Sequence, residues 1–332
     1  MRIPYVNLSS YYEQHRPFTT YTMATLLITG ATSGLGLHVA QQLADQGRHH
    51  LILPMRDARR GLALADALRQ GGALAVHTPE LDLASLHDVS RFLRTFESAH
   101  ALSSIDGVLL NAGVQSAQAL SFTVDGLETT FAVNHLAHLM LIQGLMKHLA
   151  PGAIVGWTAS GTHDPCELMA RLSGFRGARY TGAQALAKGE HDAGTSDAQA
   201  CRDAYATSKL CNIVTAQAFA QTWAETGWRF FAFDPGMMPG TGLAREHGAL
   251  TQWMWQHVLP RLARILPGTS LPASSAAVLS RLITDLPAAT PSGAYFGFKG
   301  QRLTPARSAR SSWVIEDLMR TSATLLTPFH PN

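Results

Sequence analysis

In the stretch Tyr205-Ala206-Thr207-Ser208-Lys209 a phenol and an amine stand four positions apart. On a helix that spacing puts both on one face, where an ammonium can hold a phenol well below its ordinary pKa of about 10 and make it usable as an acid or base near neutrality. One such pair is common by chance, and its company raises its weight. Thr29-Gly30-Ala31-Thr32-Ser33-Gly34-Leu35-Gly36, Asp82, Asn111-Ala112-Gly113, Asn134 and Ser160 precede it, and Asp234-Pro235-Gly236 follows. Glycines at the first of these sites let the backbone turn tightly and approach a pyrophosphate, while a helix beginning there offers free N–H groups and partial positive charge. In NAD sites an acidic residue about 20 positions further on takes the ribose hydroxyls. Arg56 stands there instead, and a guanidinium favours a 2′-phosphate, so the residues point to NADP(H) over NAD(H). A solvated strand-end arginine beside Arg59 and Arg60 is the plainer alternative.

These residues need a scaffold, and the sequence alternates short apolar runs with helical patterns from Thr25 onward. Leu26–Thr29, His50–Met55, Leu74–Thr78, Ile105–Leu110, Ala153–Trp157, Arg229–Phe233 and Ala294–Phe298 read as strands. Between them Leu35–Gln46, Arg60–Gln70, Ser85–Ser98, Leu127–Leu149, Ala204–Thr226 and Leu271–Ile283 carry helical spacing, which sets Tyr205 at the head of its helix. The expected fold is α/β, a doubly wound, about seven-stranded parallel sheet with helices on both faces. It divides into an N-terminal arm (1–23), one domain (24–300) and a C-terminal tail (301–332) read as a peripheral strap. Within the domain, 163–202 is a long insertion and about 237–268 a substrate lid.

Composition limits the function. The 332 residues are 46% hydrophobic and only 15% charged, with 26 basic against 23 acidic side chains and a net charge of +3, too little for an electrostatic nucleic-acid binder. The expected partner is a small, apolar molecule. Cys166, Cys201 and Cys211 are too few and too scattered for a disulfide framework, and buried, inert thiols are the default for Cys201 and Cys211. Of the 15 histidines, His135, His138 and His148 lack the carboxylate or cysteine that would complete a ligand set, so no metal is expected. Residues 1–22 lack the apolar core of a signal peptide, no apolar run reaches spanning length, and a cytoplasmic chain is the simplest expectation.

Over about Thr25 to Phe298 the chain resembles the short-chain dehydrogenase/reductase family: the glycine turn, Asn111-Ala112-Gly113, a strand-five hydroxyl, Tyr205/Lys209 and Pro235-Gly236 stand in family order. The resemblance implies a Rossmann-type fold in which Tyr205 is the acid/base and Lys209 lowers its pKa and binds the nicotinamide ribose. Ser160 would orient the substrate oxygen, and Asn134 would hold a proton-relay water. It further implies that Gly30, Thr32, Ser33, Gly34, Leu35 and Gly36 hold the pyrophosphate, and that Asp82 and Leu83 meet the adenine. Asn111, Ala112 and Gly113 would line the adenosine side, and Pro235 and Gly236 would face the nicotinamide. In Trp157-Thr158-Ala159-Ser160-Gly161 the family's usual paired serines are missing, so Thr158 is an alternative to Ser160.

Within the family, Val133-Asn134-His135-Leu136-Ala137-His138, Ser208-Lys209-Leu210-Cys211-Asn212 and Arg56-Asp57 resemble the retinol dehydrogenase and light-dependent protochlorophyllide reductase branch. The insertion, Thr241–His247 and Ser292-Gly293-Ala294-Tyr295 resemble protochlorophyllide reductase most. That enzyme, however, has a functional cysteine after its Pro-Gly, where Met237 stands here, and a tyrosine near the place of Gln115. Trp157, Met237, Met238, the insertion and Trp253-Met254-Trp255 leading into Val258-Leu259-Pro260 would make an apolar wall, so the leading expectation is NADP(H)-dependent hydride transfer to or from a lipophilic alcohol, aldehyde or ketone. Protochlorophyllide reduction and non-catalytic NADP(H) sensing are the alternatives. Trp253 to Arg264, with Arg261 and Arg264, would otherwise suit a membrane surface. Self-association through the helices of Asn134 and Tyr205 is a further expectation, which the insertion could obstruct.

Overall fold

The computed structural model describes residues 23–99, 104–238 and 268–330. The arm 1–22, Thr241–His247, Trp253–Trp255, Val258–Pro260, Arg261, Arg264 and most of the expected lid lie outside them. Strands β1 (Ala24–Ile28), β2 (His49–Ile52), β3 (Ala75–His77), β4 (Ile105–Leu110), β5 (Leu149–Thr158), β6 (Arg229–Asp234) and β7 (Ala294–Gly297) coincide with the seven expected segments. An eighth, β8 (Arg302–Leu303), extends the sheet in the order β3-β2-β1-β4-β5-β6-β7-β8. The first seven pair in parallel, and β8 runs antiparallel to β7 through Tyr295 opposite Leu303. Strand order reverses between β1 and β4, which opens a crevice at their carboxyl ends, where open α/β sheets bind ligands.

The sheet is a fold-wide apolar layer because alternate residues feed opposite faces. Phe230 and Ala232 join one core with Leu27, Val108, Val155 and Trp157, while Phe231 and Phe233 join the other with Leu26, Ile28 and Phe296. Helices α1 (Gly34–Ala44), α2 (Ala58–Gln70) and α8 (Pro272–Thr284) cover the second face; α3 (Leu86–Ala99), α4 (129–145) and α7 (Asp197–Thr222) cover the first. The stretch expected as one helix over 127–149 is segmented. Its α4 consists of Thr129–Phe131, a π-helical turn at Ala132–Leu136 and Ala137–Leu145, and β5 already begins at Leu149.

Two expectations change. Helix α7 starts seven residues before Ala204, at Asp197, so Tyr205 lies more than two turns inside it rather than at its head. The insertion contributes two short helices, α5 (Leu168–Leu172) and α6 (Ala183–Ala187), and its last residues are the first turns of α7. The segment after Lys299 is also no peripheral strap. Beyond β8 it forms a 3-10 turn at Arg307–Arg310 and α9 (Ser312–Leu326), in which Leu318, Ser322 and Leu326 are fully buried against the core. Burial of a leucine side chain stabilises by roughly 1.5–3 kcal/mol, so α9 is an integral layer.

Candidate active site

The glycine turn follows β1 directly. Gly30 adopts φ 70°, and a Cβ on Gly36 would lie 2.4 Å from the Gly30 carbonyl oxygen and 2.6 Å from Asn111 Nδ2. Only glycine allows this approach of helix to strand. Ser33 occupies the N-cap of α1 without a side-chain cap hydrogen bond, so the first N–H groups of α1 remain open to an anion. This is a cradle that fits a pyrophosphate. Thr32 and Ser33 are exposed beside it, and Leu35 is buried behind it. Arg56 is exposed just past the β2 extension; Asp57 caps α2 by accepting from the N–H groups of Arg59 and Arg60, and pairs with Arg60 at 3.6 Å. Arg56 and Arg59 have no acidic partner among the described residues. Asp82 accepts from the Ala84 N–H at 3.0 Å in a tight turn shared with the half-buried Leu83.

A chain of hydrogen bonds runs from this cradle to the amine. Asn111 Nδ2 donates to the Thr29 carbonyl at 3.0 Å, Thr158 Oγ1 donates to Asn111 Oδ1 at 3.1 Å, and Lys209 Nζ donates to the Thr158 carbonyl at 3.0 Å. Asn212, one turn beyond Lys209, donates to the same carbonyl at 3.0 Å. Lys209 Nζ stands 5.4 Å from the centre of the Tyr205 ring. Gly113 leaves room for both Asn134 and Lys209: a Cβ there would sit 3.3 Å from Asn134 Oδ1 and 3.4 Å from Lys209 Nζ.

Asn134 lies in the π-helical turn, fully buried. Its amide accepts from the Val114 N–H at 2.8 Å and donates to the Val114 carbonyl and the Ser208 hydroxyl, while Ser208 donates to the Tyr205 carbonyl at 2.7 Å. π-turns of this kind recur at functional sites because they displace the local backbone. Ser160, at the end of β5, heads a 3-10 turn at Gly161–His163 and accepts from the Thr162 N–H at 3.3 Å. The structure therefore brings Tyr205, Lys209, Asn134, Ser160 and Pro235-Gly236 to the same edge of the sheet as the glycine turn.

The electrostatics correct one expectation. Burial, and after it the Asp234 carboxylate, push the Tyr205 phenol above its ordinary range instead of below it. Burial lowers the Lys209 ammonium to about 8, with Asp234 opposing the drop. The lysine does not outweigh these effects, and Tyr205 lies too deep in α7 to feel its positive end, which fades beyond the first turn. Asp234, Thr29, Ser208 and Asn212 were not singled out by sequence reasoning. All four stand inside motifs quoted above, Asp234 before Pro235-Gly236 and Asn212 at the end of Ser208–Asn212, but no role attaches to them there.

Other expected wall residues fall elsewhere. Trp157 is 1% exposed and stacks edge-on with Phe219 inside the core, where the alternation of β5 places it, and Met238, beyond β6, is likewise a core residue. Met237 is half-buried, its backbone joined to Gly268 and Ser270. His135 bonds Ser322 of α9 at 2.9 Å and His138 bonds Thr29 at 3.0 Å; both are fully buried and held neutral, with pKa values lowered to about 3. Cys201 and Cys211 are buried, and burial pushes the Cys211 thiol up. Among the described residues no cluster of three His, Cys, Asp or Glu could hold a metal ion, and no helix is long and apolar enough to cross a membrane.

Comparison with known proteins agrees with this arrangement. Residues 24–171 match the short chain dehydrogenase family model. The chain is 30% identical over 326 residues to protochlorophyllide reductase A of Triticum aestivum, covering 90% of this chain and 80% of that one. It is 33% identical over 298 residues to protochlorophyllide reductase B of Oryza sativa subsp. japonica, covering 84% and 70%. Among solved structures, an NADPH-bound carbonyl reductase from chicken fatty liver superposes with TM-score 0.61 at 16% identity, over 85% of this chain and 99% of the other. L-sorbose reductase from Gluconobacter frateurii gives 0.60 at 17% identity, over 84% and 96%. Fold, motif order and relatives thus converge, and the chain belongs to the short-chain dehydrogenase/reductase family, in its protochlorophyllide reductase-like branch.

Proposed function

We propose that the protein is an NADP(H)-dependent oxidoreductase that reduces a lipophilic carbonyl compound, with Tyr205 as proton donor. The observation that carries this reading is the hydrogen-bond chain Thr29–Asn111–Thr158–Lys209, which couples the anion cradle to the amine beside the phenol. The open N–H groups of α1 would hold the pyrophosphate, and Arg56 and Arg59 would hold the 2′-phosphate. Asp82 and Leu83, with Asn111, Ala112 and Gly113, would border the adenosine, and Pro235-Gly236 the nicotinamide. When bound, the nicotinamide supplies a hydride to the carbonyl carbon. Tyr205, kept protonated by its surroundings, gives its proton to the carbonyl oxygen, so that an alcohol forms. Lys209, fixed on the Thr158 carbonyl, stabilises the phenolate that remains.

Ser160 suits the substrate oxygen better than Thr158. The Thr158 hydroxyl donates to Asn111 and its carbonyl carries Lys209 and Asn212, whereas the Ser160 hydroxyl only accepts from the Thr162 N–H among the described residues. The 30–33% identity to protochlorophyllide reductases supports a second reading, reduction of a ring double bond by the same site; Met237 at that enzyme's cysteine place and Gln115 near its tyrosine place weigh against it. NADPH oxidation with a panel of lipophilic ketones and aldehydes in the dark, and with protochlorophyllide under light, separates the two. Dark turnover of a carbonyl supports the first reading, turnover restricted to illuminated porphyrin supports the second, and NADPH binding with neither identifies a sensor.

A further inference from the structure

His163 ends the turn that begins at Ser160 and is 2% exposed. Three segments meet on it. Its ring Nδ1 lies 2.7 Å from the Ser160 carbonyl oxygen, its ring Nε2 lies 3.2 Å from the Ala306 nitrogen beyond β8, and its own carbonyl accepts from the Ala178 N–H of the insertion at 3.0 Å. The ring stands edge-on to Tyr295 of β7, with 5.5 Å between centroids. A carbonyl oxygen only accepts and a main-chain N–H only donates, so one tautomer satisfies both contacts: Nδ1 carries the proton and donates to Ser160, and Nε2 accepts from Ala306. Burial, which lowers the pKa of the ring, keeps it in this neutral form.

We propose that His163 is a positioning residue for Ser160: its Nδ1–H, held in place by the Ala306 N–H behind it, fixes the Ser160 carbonyl and with it the direction from which the Ser160 hydroxyl meets a substrate oxygen. The inference rests on the reading of Ser160 as the group that orients that oxygen. The hydroxyl accepts from the Thr162 N–H at 3.3 Å inside the same turn, so rotation of the Ser160 carbonyl would carry this donor away from it. On its other side the turn has no slack, since a Cβ on Gly161 would lie 3.1 Å from Asp234 Oδ2 and 3.2 Å from Glu167 Cγ. A misplacement of about 1 Å in a positioning group costs roughly 100-fold in rate. The imidazole acts through Ser160, and so carries order from the segment after β8 into the reacting centre.

Two readouts on the full chain test this. Histidine-selective nitrogen NMR, taken as the difference between wild type and His163→Asn, is expected to show the His163 ring protonated at Nδ1; a proton on Nε2 alone would overturn the inference. The second readout is kcat against KM with NADPH and whichever ketone or aldehyde of the dark panel turns over fastest. Asparagine places an amide nitrogen where Nδ1 stands and keeps the bond to Ser160, whereas phenylalanine keeps the ring and its packing on Tyr295 but loses both bonds. His163→Phe is expected to lower kcat by about 10–100-fold with the KM for NADPH unchanged, and His163→Asn to retain more of kcat than His163→Phe. A ring that only fills the core gives the opposite order, and that order would overturn the inference. In a Ser160→Ala background the cost of His163→Phe is expected to shrink to about twofold or less, because residues that act through one another do not add. A full further loss there defeats the role of His163 and leaves that of Ser160 standing; no loss in Ser160→Ala itself defeats the reading of Ser160, and the inference with it. If His163→Phe does not fold, the tautomer of the ring and the same cycle run with His163→Gln decide.

Discussion

The two sides of the sheet edge achieve order by different means. Around β1 and β4 the working groups are main-chain N–H donors, placed by glycines that tolerate no Cβ, and the side chains serve mainly to hold strands together. Around β5, β6 and β7 they are side chains: Tyr205, buried and pushed up by burial and by Asp234, and Lys209, buried and lowered by burial against the half-buried Asp234. A backbone cradle is specified by what is missing from the sequence; a side-chain site depends on the packing of helices distant in the chain.

Substitutions can separate the two sides. The largest effect is expected from Tyr205→Phe: turnover should fall by about 10²–10⁴-fold, the usual share of general acid catalysis, with NADPH affinity unchanged by fluorescence titration. Gly36→Ala should do the reverse. Its added Cβ, 2.4 Å from the Gly30 oxygen, must push the cradle open and weaken NADPH binding by roughly 100-fold, while the fold persists by circular dichroism. Ser160→Ala is expected to lower kcat by about 10²-fold and Thr158→Val to raise the KM for NADPH more than it lowers kcat; the opposite pattern in steady-state kinetics would exchange their roles. Arg56→Asp should shift the NADPH/NADH ratio of kcat/KM toward NADH by at least about tenfold, since it replaces a phosphate partner with a repelling charge.

The smallest effect concerns stability alone. His135 and His138 are neutral when folded and take up protons near 6.5 when unfolded, so between about pH 6.5 and 3 the unfolded chain binds more protons. Each should therefore cost up to about 1.4 kcal/mol of stability for every unit the pH falls within that window. Urea unfolding at pH 7.5, 6 and 5 should show the loss, and a His138→Asn variant should show a shallower slope.

Much of this was legible in the sequence. The seven parallel strands announced themselves as apolar runs, and the glycine turn sat where a strand meets a helix. The start of α7 was hidden because Ser196-Asp197 is embedded in a Gly-, Ala- and Asp-rich insertion whose composition reads as loop. Helix α9 was missed because Ser and Arg dominate its surroundings, although Val314, Leu318, Ser322 and Leu326 recur every four residues on its buried side. Ser322 breaks that apolar stripe for a reason sequence cannot show: its partner, His135, is 187 positions away. The upward push on Tyr205 was equally out of reach, because it depends on how deeply α7 is buried and on a carboxylate from another strand.

Helix α9 has a consequence for the making of the protein. Ser322 reaches the π-turn of Asn134, Asp317 accepts from the Tyr180 hydroxyl at 2.8 Å and the Ala183 N–H at 2.9 Å, and the Ala306 N–H meets His163 next to the Ser160 turn. These supports come from 134 to 187 positions further along the chain than the segments they hold, so α6 and the turns around Ser160 and Asn134 are braced only when the segment 306–326 has docked, whereas the cradle of β1 and β4 draws none of these contacts.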